Sequence, residues 1–189
     1  MKKITWVIAL LAALALIFVG CPGEGDDEDD NNPSGGDDTN IDLTTVFSAT
    51  PTTQDKAIVT VSSSAATFAY NNNQEIWGEL VTPESARWDA SAYTGIKFEY
   101  KSPANITVFA QDINTIFIYG YDNSDGWGAI SFTDNWTEIT LPFSILINQG
   151  WFNDGDAAFN KSAIVKFAFQ IGSGADSGDK IEIRNFAAY

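Results

Sequence analysis

The chain has 189 residues, with 25 acidic against 10 basic side chains, a formal net charge of −15, no histidine and one cysteine. Without histidine it lacks the usual general base, the Ser-His-Asp and Cys-His arrangements and the commonest transition-metal ligand. A single cysteine also excludes internal disulfides and His/Cys zinc sites, leaving oxygen-ligand cations such as structural calcium open.

The first predicted element is a secretory signal over residues 1–20. Lys2 and Lys3 open it, Ile4 to Gly20 is apolar apart from Thr5, and a small residue precedes Cys21. An uncleaved membrane anchor is the alternative, because a span needs roughly 20 apolar residues and this run is near that limit. Phe18-Val19-Gly20-Cys21 resembles a bacterial lipobox, departing from it at Phe18, where Leu is usual. That resemblance implies cleavage before Cys21, palmitate-type acylation of its thiol, and a lipoprotein held stably in the envelope by several acyl chains. The implied address is the outer membrane, with surface display left open. Cleavage removes Lys2 and Lys3, so 8 basic residues then face 25 acidic ones. Such a balance disfavours nucleic acid and anionic headgroups as partners, which leaves the lipid as the membrane contact.

Residues 21–40 read as a linker. Pro22 to Asn40 holds eight carboxylates, no basic residue and no apolar side chain larger than proline, so it is expected to be disordered. Like charges extend it into a stalk. Two readings stand side by side: a plain solvated spacer, and an acidic export signal like those of surface lipoproteins.

Residues 41–189 form one domain by length, able to bury roughly 68–70% of its unfolded surface. Predicted strands follow in order: Ala57 to Val61, Thr67 to Tyr70, Ile76 to Val81, Gly95 to Lys101, Asn105 to Gln111, Thr115 to Tyr121, Trp127 to Phe132, Trp136 to Leu141, Ile164 to Ile171 and Lys180 to Phe186. Gly95 to Lys101 alternates, Ile96, Phe98 and Tyr100 against Lys97, Glu99 and Lys101. Asp89 or Ser91 is expected to form a side-chain turn before it, and Gly95 to supply a positive φ. Pro142 ends a strand by lacking a ladder donor, and Pro142 to Asn148 has room for a helical turn or two. Short strands between Gly, Asn, Asp and Ser clusters predict an all-β antiparallel sandwich of the jelly-roll kind, or a barrel.

Trp88-Asp89-Ala90-Ser91-Ala92-Tyr93-Thr94-Gly95-Ile96-Lys97-Phe98 resembles the D-S-x-Y-x-G-I-x-F segment of galactose-binding-like jelly-roll carbohydrate-binding modules. Trp136 to Ser144 is similar to their W-x-x-x-x-L-P-F-S signature, and the last two predicted strands match theirs. The resemblance covers most of residues 57–187. It implies a non-catalytic glycan-binding protein, with a polysaccharide or oligosaccharide, such as a plant-type β-linked glucan, as partner. Related modules often bind calcium near the chain ends, but Arg184-Asn185 stands where an aspartate is usual. Trp88 and Trp136 are expected in the core, with Leu141, Phe143 and Leu146.

Sugars present an apolar C–H face and a belt of hydroxyls, so a site needs flat rings beside planar amides, carboxylates or guanidinium groups. Candidate ligand-binding residues are Phe109, Gln111 and Gln170 on outward rows, Tyr119 and Tyr121 beside Asp122, and Trp127 and Trp151 in aromatic, polar loops. Alternation places Phe109 in solvent. Together they predict an open groove over one sheet; a second apolar layer is the other reading of the same rings. Arg87 and Arg184 either fork onto vicinal hydroxyls or pair with carboxylates. Asp122 to Gly126 and Asn153 to Asp156 carry oxygen donors and read as ordinary turns. Two further functions stay open: an envelope protein using the sandwich for protein–protein interaction or assembly, and a glycoside hydrolase, for which no carboxylate pair stands out.

Overall fold

The computed structural model describes residues 38–47, 57–71, 74–83, 86–119, 130–148 and 158–189. The expected signal peptide, Cys21 and the linker up to residue 37 lie outside these. The described residues build two antiparallel sheets packed as a β-sandwich, as the strand pattern predicted. The first sheet contains β1 (Thr39–Asn40), β2 (Ala57–Val61), β3 (Ala65–Tyr70), β5 (Gly95–Ser102), β8 (Thr133–Pro142) and β11 (Lys180–Ala188). The second contains β4 (Ile76–Val81), β6 (Thr107–Asp112), β7 (Ile116–Tyr119), β9 (Leu146–Asn148) and β10 (Ile164–Ile171). The orders are β2-β3-β11-β5-β8, with β1 also on β11, and β4-β10-β6-β7-β9. From β3 onward the chain repeatedly crosses between sheets, the exchange that makes a jelly roll.

Strict alternation drives this arrangement. In β5, Ile96, Phe98 and Tyr100 are buried while Lys97, Glu99 and Lys101 point outward. Phe98 stacks on Phe186 of β11 at 5.8 Å, and Phe68 of β3 stacks on Phe169 of β10 at 5.0 Å, so rings from both sheets interlock. Each such buried ring contributes about 1.5–3 kcal/mol by leaving water. With no disulfide available, this aromatic layer holds the walls together. Gly78 of β4 belongs to the same fit, because a Cβ there would lie 2.0 Å from the Phe68 ring.

A one-turn helix, α1 (Leu43–Val46), is capped by Asp42, whose carboxylate accepts from the Thr44 amide at 2.9 Å. Those Thr44 hydrogen bonds hold the Asp42 carboxyl below its ordinary range. The turn drives Leu43 and Phe47 into the core, where Phe47 meets Trp88, Phe167 and Phe186 edge-on. Residues before this turn are also paired. Thr39–Asn40, read from sequence as linker, pairs with Ala188 and Ala187, and Asp38 pairs with Lys97. The edge of β11 left free beyond β3 offers backbone partners that composition does not reveal. Asn185, at φ 53, makes the bulge where β11 passes from β3 to β1.

Several local expectations hold. Asp89 accepts from the Ser91 amide and hydroxyl, β8 ends at Pro142, and Phe143–Ile145 forms a single 3-10 turn. Trp88, Leu141 and Phe143 are buried and Leu146 packs against them. Others do not. Gly95 has no positive φ; glycine is needed for space, since a Cβ would sit 2.5 Å from the Leu141 carbonyl oxygen and from the Tyr189 hydroxyl. The strand expected over Trp127 to Phe132 is represented, among the described residues, by one bridge between Ile130 and Ile106. Trp136 is half-exposed rather than core: its ring lies on the outer face of the first sheet, 4.1 Å from the Arg184 guanidinium carbon and 5.0 Å from the Lys101 ammonium.

Candidate functional site

The pairing register of the second sheet gathers one set of side chains on its outer face. Gln170 of β10 lies opposite Trp77 of β4 and Thr107 of β6. One step along, Ala168 lies between Glu79 and Phe109, and Phe109 continues the row to Ile118 of β7 and Ile147 of β9. A third row runs from Val81 through Lys166 and Gln111 to Ile116. A period of two thus brings aromatic, amide and charged groups into adjacent rows on one wall.

The middle row is apolar. Phe109 is 2% exposed, with Ala168 and Ile118 buried beside it, and the Trp77 ring lies 4.8 Å from the Phe109 ring at 44°. The expectation that Phe109 stands in solvent is therefore corrected: it occupies the predicted face, but Trp77 and Ile116 pack against it in a second, small apolar cluster. Alternation assigns a face; it does not say what lies over that face.

Around this cluster sits a polar set. The Glu79 side chain is only 3% exposed, and one of its oxygens accepts from the Trp77 indole N–H at 2.9 Å and from the Lys166 ammonium at 2.6 Å. Two donors on one carboxylate offset much of the cost of removing it from water. They also fix the Trp77 ring in orientation. Gln111 and Gln170 flank this arrangement, partly exposed, as the sequence pattern expected.

Tyr119 falls elsewhere. Its side chain packs toward the main core, and its hydroxyl donates to the Thr140 carbonyl at 3.2 Å, across from the first sheet. Burial pushes the Tyr119 hydroxyl pKa up. It therefore does not share a face with Gln111 and Gln170, because the strand parity that points Ile118 outward points Tyr119 inward. Tyr121, Trp127 and Trp151 lie outside the described residues, as do Asp122 to Gly126 and Asn153 to Asp156. Of the arginines, Arg184 pairs with Glu99, and Arg87 donates to the Ala86 carbonyl at 2.7 Å.

Sequence reasoning missed Trp77, Glu79 and Lys166. Their signal was present: Trp77 and Glu79 are two apart in a recognised strand, and Lys166 shares the parity of Gln170. Among the described residues no three acidic or cysteine side chains converge on a metal-sized site. A separate cleft of about 680 Å³ opens at the sandwich edge, where Phe117, Phe143, Phe159 and Tyr189 meet Asn148 and Lys161. The Lys161 ammonium is held there by the Tyr93 carbonyl at 2.7 Å.

The chain is similar to solved carbohydrate-binding modules. One is a family 29 module variant solved with mannohexaose, at 13% identity over 76% of this chain and 87% of that one, with a TM-score of 0.47. Another family 29 variant, solved with cellulohexaose, gives 14% identity, 70% and 74% coverage and a TM-score of 0.45. The family 11 module of a cellulosomal cellulase from Clostridium thermocellum gives 17% identity, 70% and 78% coverage and a TM-score of 0.46. No protein-family model matches the chain, and no curated protein sequence matches it significantly.

Proposed function

We propose that this protein binds a glycan without cleaving it, holding a neutral β-linked polysaccharide against the outer face of its second sheet. The observation that carries the reading is the juxtaposition of Trp77, Gln170, Gln111 and the Glu79–Lys166 pair on one wall. An indole fixed by a hydrogen bond offers a flat surface to a pyranose, and the amides and ammonium offer donors and acceptors to its hydroxyls. Each such bond replaces one to water, so affinity per site is modest. Hydrolysis needs two carboxyl groups about 5–9.5 Å apart across the sugar, whereas the shielded Glu79 carboxylate is engaged by the Trp77 indole and the Lys166 ammonium. The lipobox-like Cys21 and the acidic stretch after it support display on the envelope, where many anchored copies raise avidity.

Affinity electrophoresis of the full chain against soluble glucan, xylan and mannan tests the proposal. Retardation on at least one, lost in Trp77→Ala, is the expected outcome; free migration on all three would overturn it. A second reading, docking of a protein partner, is favoured by Ile145 and Ile147, which are 40% and 42% exposed at the β9 edge. Recovery of one stoichiometric envelope protein, together with no glycan retention, would select that reading.

A further inference from the structure

The first sheet has its own arrangement of ring and polar groups, with no residue shared with the face just described. Trp136 stands on β8, the edge strand, and Arg184 on β11, two strands away with β5 between them. For its ring to come within 4.1 Å of Arg184 and 5.0 Å of Lys101, the indole must lie across the sheet rather than stand up from it. Cations approaching such a ring hold it in place by their attraction to its π face. The Arg184–Glu99 pair fixes the arginine in turn.

Beside this ring the sheet ends in a cleft of about 300 Å³ whose lining includes Lys101, Lys180, Asp134, Asp179 and Glu182. The volume is that of a small ligand site. Charges of both signs line it, which suits neither an anion nor a cation but does suit hydroxyls, since each hydroxyl donates one bond and accepts two. The lysines here are unequal. Lys97, Lys166 and Lys180 pair with carboxylates, and Lys161 with a carbonyl. Among the described residues, the Lys101 ammonium lies over the Trp136 ring and joins none of the ion pairs. Its ammonium therefore keeps three donors for a ligand, in a chain where carboxylates outnumber basic groups 25 to 10.

We infer that the outer face of the first sheet is a second glycan-binding face, taking a neutral pyranose stacked on Trp136 with its hydroxyls bonded to Lys101 and the cleft carboxylates. Two faces on opposite walls make the protein bivalent, able to link two polysaccharide chains. The inference extends the glycan reading but rests on different residues.

Calorimetric titration of the full chain with hexaoses of β-1,4-linked glucose and of β-1,4-linked mannose decides it. Two sites per chain are expected for a hexaose that binds. Trp77→Ala and Trp136→Ala should each leave one site, and Lys101→Gln should weaken the Trp136 site three- to tenfold. Near-UV circular dichroism checks that each variant keeps its fold; Lys101→Gln, at a surface position, serves should Trp136→Ala fail to fold. If Trp77→Ala abolishes all binding while Trp136→Ala and Lys101→Gln change nothing, the second face is refuted and the first stands. The reverse pattern refutes the first face and leaves the second. Retention on polygalacturonate but on no neutral glycan overturns the assigned ligand class.

Discussion

On the outer side of β10, Ala168 is sealed between Glu79 and Phe109; on the outer side of β11, Glu182 and Arg184 stand among ion pairs reached by water. Both strands lie inside their sheets and both alternate. In the second sheet the outward residues form a small apolar cluster with one shielded carboxylate. In the first they are charged groups in exposed pairs, with Trp136 lying over them. Outward therefore means two different environments. Energetic weight should follow the environment rather than the residue type.

The sharpest way to break this contrast compares two phenylalanines outside the main core. Phe109→Ala should cost about 3–5 kcal/mol, the range for truncating a buried aromatic. Phe132→Ala, at a site 62% exposed, should stay within about 0.5 kcal/mol. Urea denaturation reads both, and equal losses would erase the distinction. Next come the ion pairs. Glu79→Ala strands Lys166, whose side chain is 21% exposed, and should cost about 3 kcal/mol, the low end for a broken buried pair. Glu182→Ala, which frees the more exposed Lys180, should cost no more than about 1 kcal/mol. The same pair should respond differently to salt, with the Glu79 contribution persisting where that of Glu182 fades.

A third test couples the walls. Gly78→Ala places a methyl group against the buried Phe68 ring and should destabilise by about 1–3 kcal/mol through overpacking. A neutral result would mean that the sheets can part more easily than the interlocked rings imply. The smallest effect concerns acid. The Ser91 hydroxyl and amide hold the Asp89 carboxyl below its ordinary range, as Thr44 does for Asp42. A depressed folded pKa contributes stability above the unfolded value, about 4, and loses it as pH falls through and below that value. Asp89→Ala and Asp42→Ala should each lower Tm at neutral pH and flatten its decline on the acid side. Melting curves from pH 7 to pH 2 check this, and an unchanged acid slope would count against it.

The sandwich was legible because its strands keep a period of two and are separated by turn residues, and because Ile96, Phe98 and Tyr100 could only face inward. The site was legible in part. Gln111 and Gln170 lie on the predicted wall because parity is a local property, and Phe109 lies there too. The burial of Phe109 was not legible, since it depends on Trp77 arriving from a strand 32 positions earlier in the chain. Tyr119 was assigned to the groove from its place beside Tyr121 and Asp122, whereas its parity with buried Phe117 places it inward. Trp136 was read as core because large rings usually are; only the registers of β8 against β5 and of β5 against β11 bring out the cations that hold it at the surface.

The pairing of residues 38–40 against β5 and β11 has a mechanical consequence. A pull directed back along the backbone from residue 38 meets first the Asp38–Lys97 pair and the two-residue ladder of Thr39–Asn40 on β11. Those should yield early, as a short zip does. Resistance then rises at Leu43 and Phe47, both fully enclosed, so that the load passes into the ring layer shared by both sheets. A protein moored at that end would stretch by a few residues under tension before its grip on anything else was tried.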